Sequence, residues 1–105
     1  MNANVNEENL EYLFKAITTL ETVEDCRRFF EDLCTVPELK AMSQRLMVAK
    51  LLSEKTVYSK IVAETGASTA TISRVNRSLN YTSYDGYALV FERLKALEDG
   101  GMGEE

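Results

Sequence analysis

Hydrophobic residues recur at intervals of three and four along most of the chain, the spacing that places side chains on one face of an α-helix. The first such stretch runs from Glu7 to Leu20 and predicts the first helix. The apolar positions of this helix are Leu10, Leu13, Phe14, Ile17 and Leu20.

Two helix starts can be located in the next part of the chain. Thr22 is followed three residues later by Asp25, a spacing similar to that of a capping box, and apolar residues then recur through Leu33. Proline is favoured in the first turn of a helix, so Pro37 predicts that the second helix has ended and that a third begins there. We expect the third helix to continue to about Glu54.

Within the third helix, the segment LMVAKLL (residues 46–52) is apolar almost all round. A helical segment of this kind is usually covered on more than one side. In a domain of this size, a second copy of the chain is a natural source of the additional cover. The segment therefore favours a homodimer.

Three more helices follow, separated by short polar or glycine-containing turns. They are predicted from a Thr56 cap to Thr65, from a Ser68 cap to about Leu79, and from about Gly86 to Glu98. The chain has one proline and five glycines in 105 residues, so signals for strand turns are scarce. We therefore predict an all-α, six-helix domain over residues 1–99 and a disordered tail over residues 100–105.

Gly66 lies between the fourth and fifth helices, where a helix-turn-helix requires a sharp turn. Glycine supplies the positive φ of such a turn without steric cost. Four apolar residues flank it at positions that would fix the angle between the two helices: Ile61, Ala67, Ile72 and Val75. This pattern predicts a helix-turn-helix over about residues 57–79. The alternative is a plain helical hairpin, with Gly66 ending one helix and Ser68 capping the next.

The fifth helix begins with short hydroxyl and methyl side chains. Ser and Thr have lower helix propensity than Ala or Leu, so stability alone does not favour them there. Short side chains would let the helix start enter a DNA major groove about 12 Å wide, where hydroxyls and methyls can contact base edges. The basic residues Lys60, Arg74 and Arg77 are expected to contact phosphates. The predicted DNA-binding residues are Lys60, Ser68, Thr69, Ala70, Thr71, Ser73, Arg74 and Arg77.

The basic and acidic residues are distributed unevenly along the chain. The formal net charge is −5, which by itself opposes nucleic-acid binding. Residues 55–81, however, carry four basic residues and a single acidic one, Glu64. With so few basic groups, DNA affinity should be modest and strongly dependent on salt.

Several chemistries have no support in the sequence. The chain has no histidine, and Cys26 and Cys34 form no CxxC pair, so we expect no metal site, no cofactor and no enzymatic activity. Two buried free thiols are favoured over a disulfide. The N-terminal MNANVNEENL lacks the features of a targeting segment, and no apolar stretch is long enough to span a bilayer, so a cytoplasmic location is expected.

The segments VPELKAMSQRLMVAKLL (residues 36–52) and ETGASTATISRVNRSLNY (residues 64–81) resemble the bacterial Trp repressor superfamily. The resemblance is greatest to the small Trp-repressor-related proteins of low-GC Gram-positive bacteria. It implies an intertwined homodimer, with the fourth and fifth helices of each copy binding a palindromic DNA operator. The implied function is that of a transcriptional regulator, and in particular a repressor.

The resemblance also suggests where an effector could bind. The positions that match the tryptophan-contacting residues of Trp repressor are Thr35, Arg45, Arg74 and Ser78. A glycine of that site corresponds here to Val75, whose branched side chain would occupy the space that an indole needs, so tryptophan binding is not expected. Alternatively, Arg45 is a surface charge and Arg74 contacts a phosphate. Binding of another small effector is left open by the sequence.

A helical protein–protein interaction module without nucleic-acid binding is the alternative function. The net charge supports it, as do Tyr81, Tyr84 and Tyr87, which would suit a protein interface if exposed. The same tyrosines could instead pack the turn against the last helix.

Overall fold

The protein was analysed as a computed structural model that describes residues 6–81 and 84–101. Every regular element in these ranges is an α-helix, so the predicted all-α fold with six helices is confirmed. The helices are α1 (Glu7–Ile17), α2 (Val23–Leu33), α3 (Val36–Ser53), α4 (Tyr58–Thr65), α5 (Thr69–Tyr81) and α6 (Gly86–Gly101). The chain divides between Leu39 and Lys40 into two compact units.

The first unit contains α1, α2 and the start of α3, and its helices begin at side-chain caps. Asn6 caps α1, and the hydroxyl of Thr22 accepts a hydrogen bond from the Asp25 backbone N–H at 3.0 Å. Neither α1 nor α2 contains a fully buried residue. Phe14 and Leu33 are examples of apolar side chains that stay about half exposed. The apolar faces of these helices therefore remain incompletely covered.

Thr35 and Glu38 form a reciprocal capping box at the start of α3. The Thr35 N–H donates to Glu38 Oε1 at 2.8 Å, and the Glu38 N–H donates to Thr35 Oγ1 at 3.2 Å. The hydrogen bond from the Thr35 backbone, followed by that from its side chain, lowers the pKa of the Glu38 carboxyl below its ordinary value of 4.5. This pair explains why α3 begins at Val36, with Pro37 inside its first turn.

The second unit contains the remainder of α3 together with α4, α5 and α6, and it holds the buried core. The core brings one face of α3 together with the inner sides of α4 and α5, while Leu52, Leu79, Tyr87 and Phe91 pack around it. The rings of Tyr87 and Phe91 on α6 are stacked with centroids 6.0 Å apart. The buried residues are Val48, Ala49, Leu51, Ile61, Ala67, Ile72 and Val75.

Three local predictions need correction. The cap of α4 is Val57, which makes no side-chain cap hydrogen bond, so Thr56 is not the cap. Helix α5 continues through Tyr81, and α6 continues through Gly101, so the first two residues of the predicted disordered tail are helical. Residues 102–105 of that tail lie outside the described residues, as do residues 82–83 of the predicted polar turn.

The two cysteines are free, as predicted, but they are not buried. Cys26 is exposed on α2, and Cys34 is half-buried where α2 ends. The expected burial is therefore wrong for both side chains.

Candidate nucleic-acid interface

Gly66 makes the turn that ends α4. Its φ of 73° and ψ of 5° lie in the left-handed region, and its N–H donates to the Val62 carbonyl at 2.9 Å. A Cβ added to Gly66 would meet no atom within 4 Å. The requirement for glycine therefore comes from the backbone angles and not from close packing.

Thr65 connects the last turn of α4 to the residues that follow the glycine. Its hydroxyl donates to the Ile61 carbonyl at 2.7 Å and accepts from the Ala67 N–H at 3.1 Å. Its own carbonyl accepts a hydrogen bond from Gln44 Nε2 of α3 at 3.1 Å. Neither Gln44 nor Thr65 was among the residues predicted from the sequence, because no local pattern reveals a bond between positions 21 residues apart.

The four apolar residues predicted to set the angle between α4 and α5 all lie in the core. Ile61 and Ile72 are fully buried, and Ala67 and Val75 are each 2% exposed. This arrangement anchors the inner sides of both helices and directs the opposite side of α5 outward. Two helices joined by a glycine turn, α4 and α5, therefore lie in the region predicted to be a helix-turn-helix, and they contact each other.

The start of α5 presents short polar side chains to solvent. Ser68 caps the helix, and its Oγ accepts from the Thr71 N–H at 3.1 Å. Thr69, Ala70 and Ser73 are exposed, and Thr71 is half-buried. The first turn of α5 contains no acidic residue. The helix dipole and these small groups together make the start of α5 favourable for an anionic partner.

Three exposed basic residues lie on α4 and α5. Lys60 on α4 forms an exposed ion pair with Glu64, with 3.7 Å between Nζ and Oε2. Arg74 and Arg77 on α5 are exposed, and within the described ranges neither forms an ion pair. Exposed pairs contribute little free energy, so Lys60 also retains most of its capacity to contact an anion.

Of the residues that matched an effector site, Arg45, Arg74 and Ser78 lie in the second unit. Ser78 lines an open cavity of about 500 Å³ with Leu46, Tyr84, Gly86, Tyr87 and Val90. Arg45 and Arg74 are exposed and do not line this cavity. Thr35 belongs to the first unit, where it caps α3. The cavity is lined largely by apolar groups, with Ser78 among the few polar ones.

Among residues 6–81 and 84–101, no three His, Cys, Asp or Glu side chains are grouped in a way that could hold a metal ion. Within that part of the chain, no helix combines the length and the apolar character required to cross a membrane.

The fold is that of an all-α protein in which two helices joined by a glycine turn present the start of the second helix to solvent. Residues 8–95 match the family described as Trp repressor protein. The chain belongs to the Trp repressor family. This is a family of regulators and not of enzymes.

The chain is similar to one curated protein and to two solved structures. YerC, an uncharacterized protein of Bacillus subtilis (strain 168), is 52% identical over 89 residues, which are 85% of each chain. A TrpR-like protein from Eubacterium eligens ATCC 27750 has a crystal structure that superposes with a TM-score of 0.83 at 52% identity, covering 90% of this chain and 96% of the other. A candidate Trp repressor from Staphylococcus aureus superposes with a TM-score of 0.80 at 50% identity, covering 84% and 87%.

Proposed function

We propose that the protein is a sequence-specific DNA-binding transcriptional regulator that acts as a repressor in the cytoplasm. The observation that carries this proposal is the orientation of α5. Its apolar residues are buried against α3 and α4, while its capped start presents Thr69, Ala70 and Ser73 to solvent. Family membership supports the same function.

The proposed contacts divide into two groups by chemistry. The exposed side chains of Ser68, Thr69, Ala70 and Ser73, with the half-buried Thr71, face base edges and nearby backbone, where hydroxyls donate or accept and methyls contact thymine. Lys60, Arg74 and Arg77 contact phosphates, which position the protein without specifying sequence. Because the net charge of the whole chain is −5, these few basic groups supply most of the electrostatic attraction.

The active form is proposed to be an intertwined homodimer on a palindromic operator. Large apolar side chains remain exposed in the single chain on α1, α2, α3 and α6, including Phe14, Leu33, Leu46 and Leu94. Large exposed apolar patches mark protein–protein interaction sites. A dimer would bury these groups and place two α5 helices about one DNA turn apart, roughly 34–36 Å.

Tryptophan is not proposed as the effector. Val75 stands where the family has a glycine beside the indole, and its side chain is buried in the core. Arg45 and Arg74 lie outside the cavity that contains Ser78. Any effector of this chain is therefore expected to differ from tryptophan in chemistry. Isothermal titration with tryptophan should give no binding heat, and saturable binding would contradict this part of the proposal.

DNA binding can be tested with duplexes selected from a randomised library, measured by fluorescence anisotropy at several salt concentrations. Each phosphate contact contributes about −0.9 to the slope of log K against log salt. Arg74→Ala and Arg77→Ala should each make the slope less steep by roughly 1. Arg28→Ala is the matched control, because it removes the same charge from α2 and should leave the slope unchanged.

The outcomes of this experiment distinguish DNA binding by the protein from the contribution of Arg74 to it. A wild-type protein that selects no duplex, or that binds with no salt dependence, would contradict the proposal. An Arg74→Ala protein with the wild-type slope would remove Arg74 from the contact set and leave DNA binding itself intact.

One observation favours the second candidate function, a protein–protein interaction module. Tyr81 and Tyr84, near the end of α5, are 78% and 82% exposed. Tyr87, on α6, packs instead against the buried core. Retention on an immobilised random DNA duplex at low salt distinguishes the functions, because a protein interaction module with a charge of −5 should pass through unretained.

A further inference from the structure

We propose that Gln44, which lies on α3 outside the helix-turn-helix, is a positioning residue for DNA recognition. The inference rests on the proposed function and deepens it. Gln44 acts through one hydrogen bond, from its Nε2 to the carbonyl oxygen of Thr65 at 3.1 Å. Thr65 is the last residue of α4, directly before the glycine turn.

The Thr65 carbonyl requires a hydrogen-bond donor, and the Gln44 amide supplies one. The carbonyls of the last turn of an α-helix have no partner within the helix, so the Thr65 carbonyl depends on an external donor. A carbonyl can only accept, and the amide of Gln44 offers donors at its nitrogen. The contact is half-buried, so water competes for the carbonyl less effectively than it would on the surface.

Gln44 also lies on the face of α3 that supports the helix-turn-helix. Val48 and Leu51 follow it by four and seven residues, on the same side of the helix, and both are buried in the core. Apolar packing of this kind is non-directional and tolerates small shifts. A hydrogen bond to a single carbonyl is directional and specifies where α4 ends relative to α3.

The remaining hydrogen bonds at the turn are local and cannot provide this tether. The Thr65 hydroxyl bonds to Ile61 and Ala67, and the Gly66 N–H bonds to Val62, all within four residues. These bonds shape the turn itself. The Gln44 bond joins the shaped turn to the core helix and thereby determines how the start of α5 is presented.

Loss of this tether should affect base contacts more than phosphate contacts. Hydrogen bonds to base edges require accurate placement of the helix start, whereas phosphate attraction is long-range and tolerates a small displacement. We therefore expect a Gln44 variant to lose affinity for a specific duplex while keeping its affinity for random DNA.

Gln44→Met is the test variant, because methionine is unbranched, has similar helix propensity and lacks a donor. Gln44→Glu keeps the shape but places a carboxylate oxygen against the Thr65 carbonyl, so its loss should be larger. Ser43→Ala is the matched control: it alters an exposed neighbour whose hydroxyl bonds only within α3, to the Lys40 carbonyl.

The experiment uses the full chain and the duplex that the wild type selects from a random library, together with a scrambled duplex. Gln44→Met should weaken binding to the selected duplex by about 3- to 10-fold, as expected for one hydrogen bond. Its affinity for the scrambled duplex should be unchanged, as should the affinity of Ser43→Ala for both. Amide hydrogen exchange at residues 65–68 should accelerate only in the Gln44 variants.

Two results would overturn the inference. One is that Gln44→Met binds the selected duplex with wild-type affinity. The other is that Gln44→Met loses affinity equally for both duplexes, in proportion to the fraction of the protein that is unfolded. Failure of the proposed function gives a different result, since the wild type would then bind neither duplex. In that case the role of Gln44 in DNA recognition fails with it, and the exchange measurement alone decides whether the tether orders the turn.

Discussion

Ser68 and Thr71 are joined by two hydrogen bonds at the start of α5. The Thr71 backbone N–H donates to Ser68 Oγ, and the Ser68 hydroxyl donates to Thr71 Oγ1, each at 3.1 Å. The Ser68 hydroxyl therefore has a structural task in addition to its proposed DNA contact. A substitution at this position can affect the helix, the DNA contact, or both.

Ser68→Ala and Ser68→Asp should separate these two effects. Alanine removes the cap and should lower the free energy of unfolding by about 1 kcal/mol. Aspartate can still cap the helix and should keep near wild-type stability, while its negative charge repels phosphate and weakens DNA binding. Urea unfolding and anisotropy on the selected duplex measure the two quantities. Wild-type DNA affinity of Ser68→Asp would place this end of α5 away from the DNA.

Gly66→Ala should destabilise the protein by about 1–2 kcal/mol, because alanine must adopt a φ of 73° at this turn. No clash contributes, since a Cβ would meet nothing within 4 Å. Gly86→Ala is the matched control, as Gly86 has no positive φ and also has free space for a Cβ. Urea unfolding should show a loss for Gly66→Ala only. Equal stability of both variants would mean that the turn tolerates another backbone conformation.

Lys55 is the opposite case, a non-glycine residue with a φ of 65° in the turn after α3. The Thr56 N–H donates to the Leu51 carbonyl at 3.0 Å, a bond typical of a helix end that contains one left-handed residue. Lys55→Gly should relieve backbone strain and stabilise the protein by about 1 kcal/mol. A lower midpoint in urea unfolding would show that the lysine side chain contributes more than the strain costs.

The helices and the turn could be predicted because their signals are local. Gly66, the Ser68 cap and the apolar spacing around them specify a bend between two helices, and the structure places each as expected. The Thr35–Glu38 capping box has an equally local signal in its T-x-x-E spacing, whereas Pro37 alone predicts the start of α3 less completely.

Burial and long-range contacts could not be predicted in the same way. Cys26 has a position typical of an inner helix face, yet it is exposed because burial depends on what else covers α2. Gln44 reaches Thr65 only because the fold brings α3 to the end of α4. Periodicity identifies which face of a helix is apolar, but it does not identify the group that packs against that face.

The hydrogen-bonded Glu38 carboxylate predicts that the free energy of unfolding decreases at acidic pH. Its pKa is lowered in the folded state by the hydrogen bonds from Thr35, so the stabilisation is present above pH 4.5 and is lost as pH falls through the lowered value. Glu38→Gln cannot titrate, and the stability difference between wild type and variant should therefore shrink below pH 4.5. Thermal melts from pH 7 to pH 3 measure it. A difference that stays constant over this range would show that the charge of Glu38 does not contribute.

The proposed dimer predicts that substitutions on one face of α6 weaken dimerisation, whereas those on the opposite face do not. Leu94 is 45% exposed in the single chain, on the same face as Val90 and Leu97. If a partner chain covers this face, Leu94→Glu would place an unpaired charge in an apolar interface, at a cost of about 3 kcal/mol or more, and raise the dimer dissociation constant by roughly 100-fold. Ala96→Glu introduces the same residue on the opposite side of α6 and should leave the dimer intact. Sedimentation equilibrium measures both variants, and a monomeric wild type, or equal dissociation of the two variants, would contradict the proposed interface.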